Sequence, residues 1–200
     1  MVLSIVITLT SPKRHYEEQE FEELFEEICY LLYNILTHRR EQLIYTIPTF
    51  IFIIQGMFHC FKKNQKSIKN NLKEIQQQQQ LGSRYISWWE VHLKDPLSIE
   101  SANIFTRLLT MISRTKKSGS KAFIKHIPSL LSEYIYIQTN NSILESKIRD
   151  VLKNGIYSLL DLCGQFERDM IMISLDFVGK SLFKSLWIEY NKDWKYVGRG

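Results

Sequence analysis

KIRDVLKNGIYSLLDLCGQFERDMIMISLDFVGKSLFKSLWIEYNKDW, residues 147–194, is the stretch on which the fold turns. Leu152, Ile156, Leu159, Leu160 and Cys163 recur at spacings of three and four, and so do Leu175, Val178, Leu182, Leu186 and Tyr190. Such spacings line apolar side chains along one face of a helix. Lys153, Asp161, Lys180, Lys184 and Glu189 fall mostly outside the stripes. Gly164 sits where a residue of positive φ would close the first helix. The stretch therefore reads as two amphipathic helices with a short break, whose single apolar seam needs a partner.

Working outward, the partners come from earlier in the chain. Residues 122–138 place Ile127, Leu130, Leu131, Tyr134 and Ile135 inward, with Pro128 starting or kinking the helix. Residues 98–113 carry Ala102, Phe105, Leu108, Leu109 and Ile112 on one face, with Ser98 and Glu100 suited to the first turn. Residues 16–37 make a third stripe, from Phe21 to Leu36, acidic at its start and followed by His38-Arg39-Arg40. That polarity matches the helix dipole.

Residues 43–61 contain no Asp, Glu, Lys or Arg. A membrane span needs about 20 apolar residues, but Pro48, Gln55 and His59 interrupt this run and basic residues flank both ends. It reads as a helix buried on all sides, with Pro48 in its first turn, and no membrane partner is expected. Residues 62–83 are polar, lysine-bearing and end in a glutamine run, which reads as a flexible insertion. Trp88-Trp89 follow, one of them placed to cover an edge of the helical stack. Residues 1–15 read as an irregular N-terminal segment and 16–196 as one helical domain.

The composition fits this. With 44% apolar residues, four prolines and eight glycines in 200 residues, the chain favours long helices over a many-turned sheet. Cys29, Cys60 and Cys163 lie in apolar runs and are odd in number, as buried thiols would be. The formal charge of +5 is uneven: residues 1–27 set Lys13 and Arg14 against seven glutamates, so the body beyond them carries the positive excess. An acidic partner, RNA or protein, suits that balance.

No catalytic chemistry is legible. No Gly-rich phosphate loop or dinucleotide fingerprint is present, His59-Cys60 lacks a second ligand pair for zinc, and His126 has no nucleophile at motif spacing. Asp161 and Asp176 are single carboxylates, suited to pairing or capping. The expectation is a non-enzymatic interaction domain with no cofactor, metal or small-molecule substrate.

One resemblance goes further. GIYSLLDLC (155–163), SLDFVGKSLFKSLWIEY (174–190) and DWK (193–195) resemble the C-terminal domain of a nucleolar family, that of unhealthy ribosome biogenesis protein two, also called nucleolar pre-ribosomal-associated protein two. LSIESANIFTRLLTMI (97–112), KHIPSLLSEYI (125–135) and YTIPTFIFIIQGMFHCF (45–61) resemble earlier blocks in the same order. The matching positions are Pro48, Arg107, Lys125, Pro128, Tyr134, Gly155, Tyr157, Asp161, Asp176, Gly179, Phe183, Lys184, Tyr190, Trp194 and Lys195. Most read as structural. Lys184, Trp194 and Lys195 lie outside or beyond the stripe and are candidate partner contacts.

The resemblance implies a scaffold in assembly of the large ribosomal subunit and pre-rRNA processing, located in the nucleolus. Its partners would be other nucleolar assembly factors, namely a helical-repeat scaffold protein and a DEAD-box RNA helicase. A direct RNA-binding module and a generic interaction repeat are the alternatives. Members are much longer chains, so this one is expected to be a piece of such a chain. The expected fold is all-α, with antiparallel helix pairs stacked in the armadillo or HEAT manner.

Overall fold

The computed structural model describes residues 3, 6, 18–64, 96–114, 120–139 and 142–195. In order these form α1 (Glu18–His38), α2 (Arg40–Leu43), α3 (Ile47–His59), β1 (Lys62–Asn64), α4 (Ile99–Ser113), α5 (Ser120–Ile124), α6 (Ile127–Thr139), β2 (Ser142–Leu144), α7 (Ser146–Leu160), α8 (Gln165–Ser174), α9 (Phe177–Tyr190) and a π-helical turn (Asn191–Lys195). The domain is all-α but for the two three-residue strands.

The helices lie in two layers. α4 packs between α1 and α7, and α6 packs between α3 and the pair α8 and α9. Cross-links fix the directions. Glu22 near the start of α1 accepts from the Ser98 amide and the Ser101 hydroxyl, and Arg40 just past its end reaches Ile112 O. α1 and α4 therefore run parallel. Gln55 meets Ser129 and His59 meets Glu133, so α3 and α6 are parallel too. Phe25 of α1 stacks edge-on against Phe61 beyond the end of α3, so those two helices are antiparallel. Each hairpin is thus a translated copy of its neighbour, as in helical-repeat stacks.

The translation has a measurable step. Thr106 on α4 bonds to Val151 on α7, 45 residues on. That matches the repeat length of about 40–47 in HEAT and armadillo arrays. From α3 to α6 the step is 74 residues. The excess is close to the span 65–95, which lies outside the described residues together with Trp88, Trp89 and most of the expected insertion. The first three residues of that insertion, Lys62–Asn64, are instead strand β1, paired antiparallel with β2 through Lys62 and Leu144. Main-chain hydrogen bonding orders them despite a polar sequence that buries little.

The core runs between the layers. Phe105 touches Phe25, Phe58 and Phe61, and Phe58 also meets Tyr134. Within the run 43–61 the burial expected on all sides holds only in part: Ile44 and Tyr45 are exposed ahead of α3, whereas Phe50, Ile54, Met57 and Phe58 on the helix lose all exposure. Among the described residues no helix is long and apolar enough to cross a membrane. Leu3 and Val6, the two described residues of the first ten, are helical and sit in the core; the rest of the expected irregular segment 1–15 lies outside the described residues. Cys29 and Cys60 are buried free thiols and Cys163 is half-buried.

The terminal stretch differs from its expected form in three ways. It is three helices, since Leu175 and Asp176 separate α8 from α9. Gly164 has φ −80° and is the N-cap of α8, its amide donating to Glu167 at 2.9 Å. A glycine can serve either end of a helix, and here the carboxylate three residues on decides. The buried face of α9 is Gly179, Phe183, Leu186 and Tyr190; Val178 is exposed. Leu186 and Tyr190 lie on the expected stripe, but the helix is apolar on several sides, and Gly179 and Phe183 take the buried places that spacing gives to Val178 and Leu182.

Candidate interaction surface

α8 and α9 are held from beneath and display apolar residues outward. Asp161, just past α7, accepts the Tyr190 hydroxyl at 2.7 Å and the Trp194 indole N–H at 3.0 Å. Tyr157 packs against both rings, each 5.8 Å away. Burial, aided by the nearby Glu189 and Asp193 charges, pushes the Tyr157 hydroxyl up to about 12. Lys153 reaches Glu189 at 2.8 Å, tying α7 to α9 again. Asp176 caps α9 through Gly179 N at 2.7 Å. Arg168 lies over Trp187 at 4.6 Å, a cation–π contact between α8 and α9. On the other side, Ser132 of α6 meets Ser174 of α8 at 2.7 Å.

On this rigid base the outward row is apolar. Phe166 is 72% exposed, Ile173 76% and Phe177 85%, with Met170 and Val178 beside them. Phe166, Met170 and Ile173 follow at spacings of four and three on α8. Phe177, Lys184 and Ile188 share the outer face of α9. A groove of 450 Å³ runs beside them between α6 and α8, with Pro128, Ser132 and Tyr136 on one wall and Phe166 and Met170 on the other. Single exposed apolar residues are ordinary, but a contiguous set marks a docking surface.

The sequence-derived positions divide between support and surface. Tyr134, Gly155, Tyr157, Gly179, Phe183 and Tyr190 are buried. Gly179 does not admit a neighbouring helix: a Cβ there would meet Asp176 and Leu175, its own cap and the residue before it. The close approach is at Gly155, where a Cβ would lie 3.0 Å from Leu109 on α4. The isolated carboxylates were expected to pair with Lys180 or Arg168 or to cap a turn: Asp176 caps α9, whereas Asp161 accepts from Tyr190 and Trp194. Lys184 and Lys195 are exposed. Trp194 is not a free contact: it is half-buried, with its N–H spent on Asp161. Pro48 lies at the start of α3, Lys125 at the break before α6, and Arg107 on the outer side of α4. Phe166, Ile173 and Phe177 were not singled out from sequence; the available signal was three large apolar side chains off every stripe.

His59 is buried and bonds Glu133 at 2.6 Å. Among the described residues no three His, Cys, Asp or Glu side chains come together as a metal site would require. A model of the Urb2/Npa2 family matches residues 1–199. The chain belongs to the Urb2/Npa2 family. It is a group associated with ribosome biogenesis. No solved structure matches this Urb2/Npa2 chain.

Proposed function

We propose that this Urb2/Npa2 chain is a non-catalytic docking module in nucleolar assembly of the large ribosomal subunit and in pre-rRNA processing. Its partners are other assembly factors, of which the family resemblance implies a helical-repeat scaffold protein and a DEAD-box RNA helicase. The observation that carries the reading is the apolar row Phe166, Ile173 and Phe177, displayed on helices pinned by the Asp161–Tyr190–Trp194 cluster. A rigid apolar surface rimmed by charge, here Lys180 and Lys184, suits a protein partner. Lys184 contributes at the rim.

The test is a triple substitution, Phe166→Asp, Ile173→Asp and Phe177→Asp, in tagged protein expressed in cells. These side chains are largely in water, so the melt should stay near that of the parent. Sedimentation with large-subunit precursors should be lost. Sedimentation equal to that of the parent would remove this surface from the docking role, and parent protein found only in the free fractions would remove the assembly role itself.

A further inference from the structure

On the layer opposite to the apolar row, α1 and α4 leave a groove of 590 Å³ between them. Tyr30, Tyr33 and Asn34 line one wall; Arg107, Met111 and Arg114 line the other. Each set recurs at spacings of three, four or both, so each wall is one helix face. Tyr30 is 50% exposed and Tyr33 37%. Neither ring is needed to close the core, and among the described residues no carboxylate lines the groove. Arg107 and Arg114 are exposed and form no ion pair among the described residues.

Charge gives the groove a direction. Glu23, Glu26 and Glu27 lie in the first half of α1, and His38 and Arg39 at its end. Because α1 and α4 run parallel, Arg114 at the end of α4 lies at that same basic end. Arg39 and Arg114 thus lie past the tyrosines, at the end remote from these three glutamates and with Glu41 as the one carboxylate near them in sequence among the described residues.

We propose that this groove binds a single-stranded stretch of RNA. Tyrosine faces stack bases whatever their sequence. Guanidinium forks take phosphate oxygens in paired hydrogen bonds. The Asn34 amide, with donors and an acceptor, can meet a base edge. An acidic peptide could use the arginines, the hydroxyls and the amide but brings no planar bases to stack on both tyrosine faces, which is why RNA fits better. The proposal takes RNA as its partner class from the ribosome-assembly reading, and its site from this groove alone.

The test uses the full chain and a fluorescently labelled, mixed-sequence single-stranded RNA of a dozen or so nucleotides, followed by anisotropy over a salt series. Arg107→Gln with Arg114→Gln should weaken binding at least about tenfold at low salt. It should also flatten the log–log salt slope by about 1.4, the value for two phosphates on a single strand. Tyr30→Ala with Tyr33→Ala should weaken binding about tenfold or more through lost stacking, whereas the corresponding phenylalanine pair should bind like the parent. Duplex RNA of equal length should bind less tightly than the single strand.

Phe166→Asp, on the other layer, should leave RNA affinity unchanged, so failure of the docking role does not disturb this test. Absence of RNA binding at low salt overturns the proposal. Parent-like binding by the arginine and tyrosine variants overturns it as well, placing the contact elsewhere on the chain. Competition by polyglutamate, combined with no effect of the tyrosine-to-alanine pair, would make the groove a site for an acidic protein instead. Each variant is paired with a thermal melt, and the exposed Arg107→Gln alone decides the arginine arm if the pair melts early.

Discussion

Replacing Gly155 with alanine tests the contact that joins the second and third helical pairs. A Cβ at this position would lie 3.0 Å from both Cβ and Cδ1 of Leu109 and 3.3 Å from the Thr106 carbonyl oxygen. Carbon atoms pack best at about 3.5–4.0 Å. α7 would therefore have to withdraw from α4 by about half an ångström or more, or Leu109 would have to leave its place. Leu109 is fully buried and its Cβ is fixed to the helix backbone, so the relief is small. Forcing an extra methyl into such a site costs about 1–3 kcal/mol. Alanine returns about 1 kcal/mol of helix propensity. The net expectation is a loss of about 1 kcal/mol, read by urea unfolding followed by circular dichroism, with a fall in Tm of about 2–4 °C for a chain of this size. Gly155→Val, which adds two more carbons and a β-branch, should lose clearly more. The decisive measurement is a double-mutant cycle with Leu109→Ala. That substitution costs about 2–5 kcal/mol alone, but it makes room for the new methyl, so the pair should lose less than the sum. Additivity within about 0.5 kcal/mol, or a gain in stability from Gly155→Ala alone, would refute close packing of α7 on α4 at this point.

Other outcomes follow from the same contacts. Phe183, buried on α9, should cost about 3–5 kcal/mol when changed to alanine, while Lys184→Ala beside it should cost under about 1 kcal/mol; equal thermal melts would mean that the buried face of α9 is misplaced. Hydrogen bonds from Ser98 and Ser101 outweigh partial burial and hold the Glu22 carboxyl below its usual range. Its contribution is then present above the unfolded pKa of about 4.3 and lost as pH falls through the lower folded value. Glu22→Gln should therefore destabilise by about 1 kcal/mol at pH 7 and by much less near pH 2–3, when melts at both pH values are compared. A constant difference would show that charge plays no part. Burial raises the Cys29 thiol well above its ordinary value and the Cys163 thiol to about 12. Both should resist alkylation at pH 8 until denaturant is added, and rapid labelling of folded protein, located by mass spectrometry, would contradict that burial.

Much of this architecture was legible because α4 obeys every local rule at once: one apolar stripe, a serine N-cap with Ser98 Oγ accepting Ser101 N at 3.2 Å, and a polar outer face. The burial of α3 was equally clear, because a mostly enclosed helix tolerates little charge, but the exposure of Ile44 and Tyr45 ahead of it was not. The repeat was not legible, since steps of 74 and 45 residues do not superpose as a period. α9 misled because Phe177, Val178, Leu182, Phe183, Leu186 and Ile188 leave no polar side to orient it. The two candidate surfaces were hidden for a different reason. Tyr30 and Arg107 are 77 positions apart in the chain, and only the parallel packing of α1 on α4 makes them facing walls. Trp194 looked exposed from its position beyond the stripe, but a π-helical turn returns it to Asp161.

The join between the first and second helical pairs has a consequence for how this chain tolerates change. The Leu97 amide bonds the Cys60 carbonyl at 3.0 Å, and β1 is fastened to β2, so the two ends of the span 65–95 are held together by groups outside it. Within the helices length is fixed more strictly: a single residue inserted in α4 or α7 beside the Thr106–Val151 and Leu109–Gly155 contacts would turn the two faces out of register by about 100°.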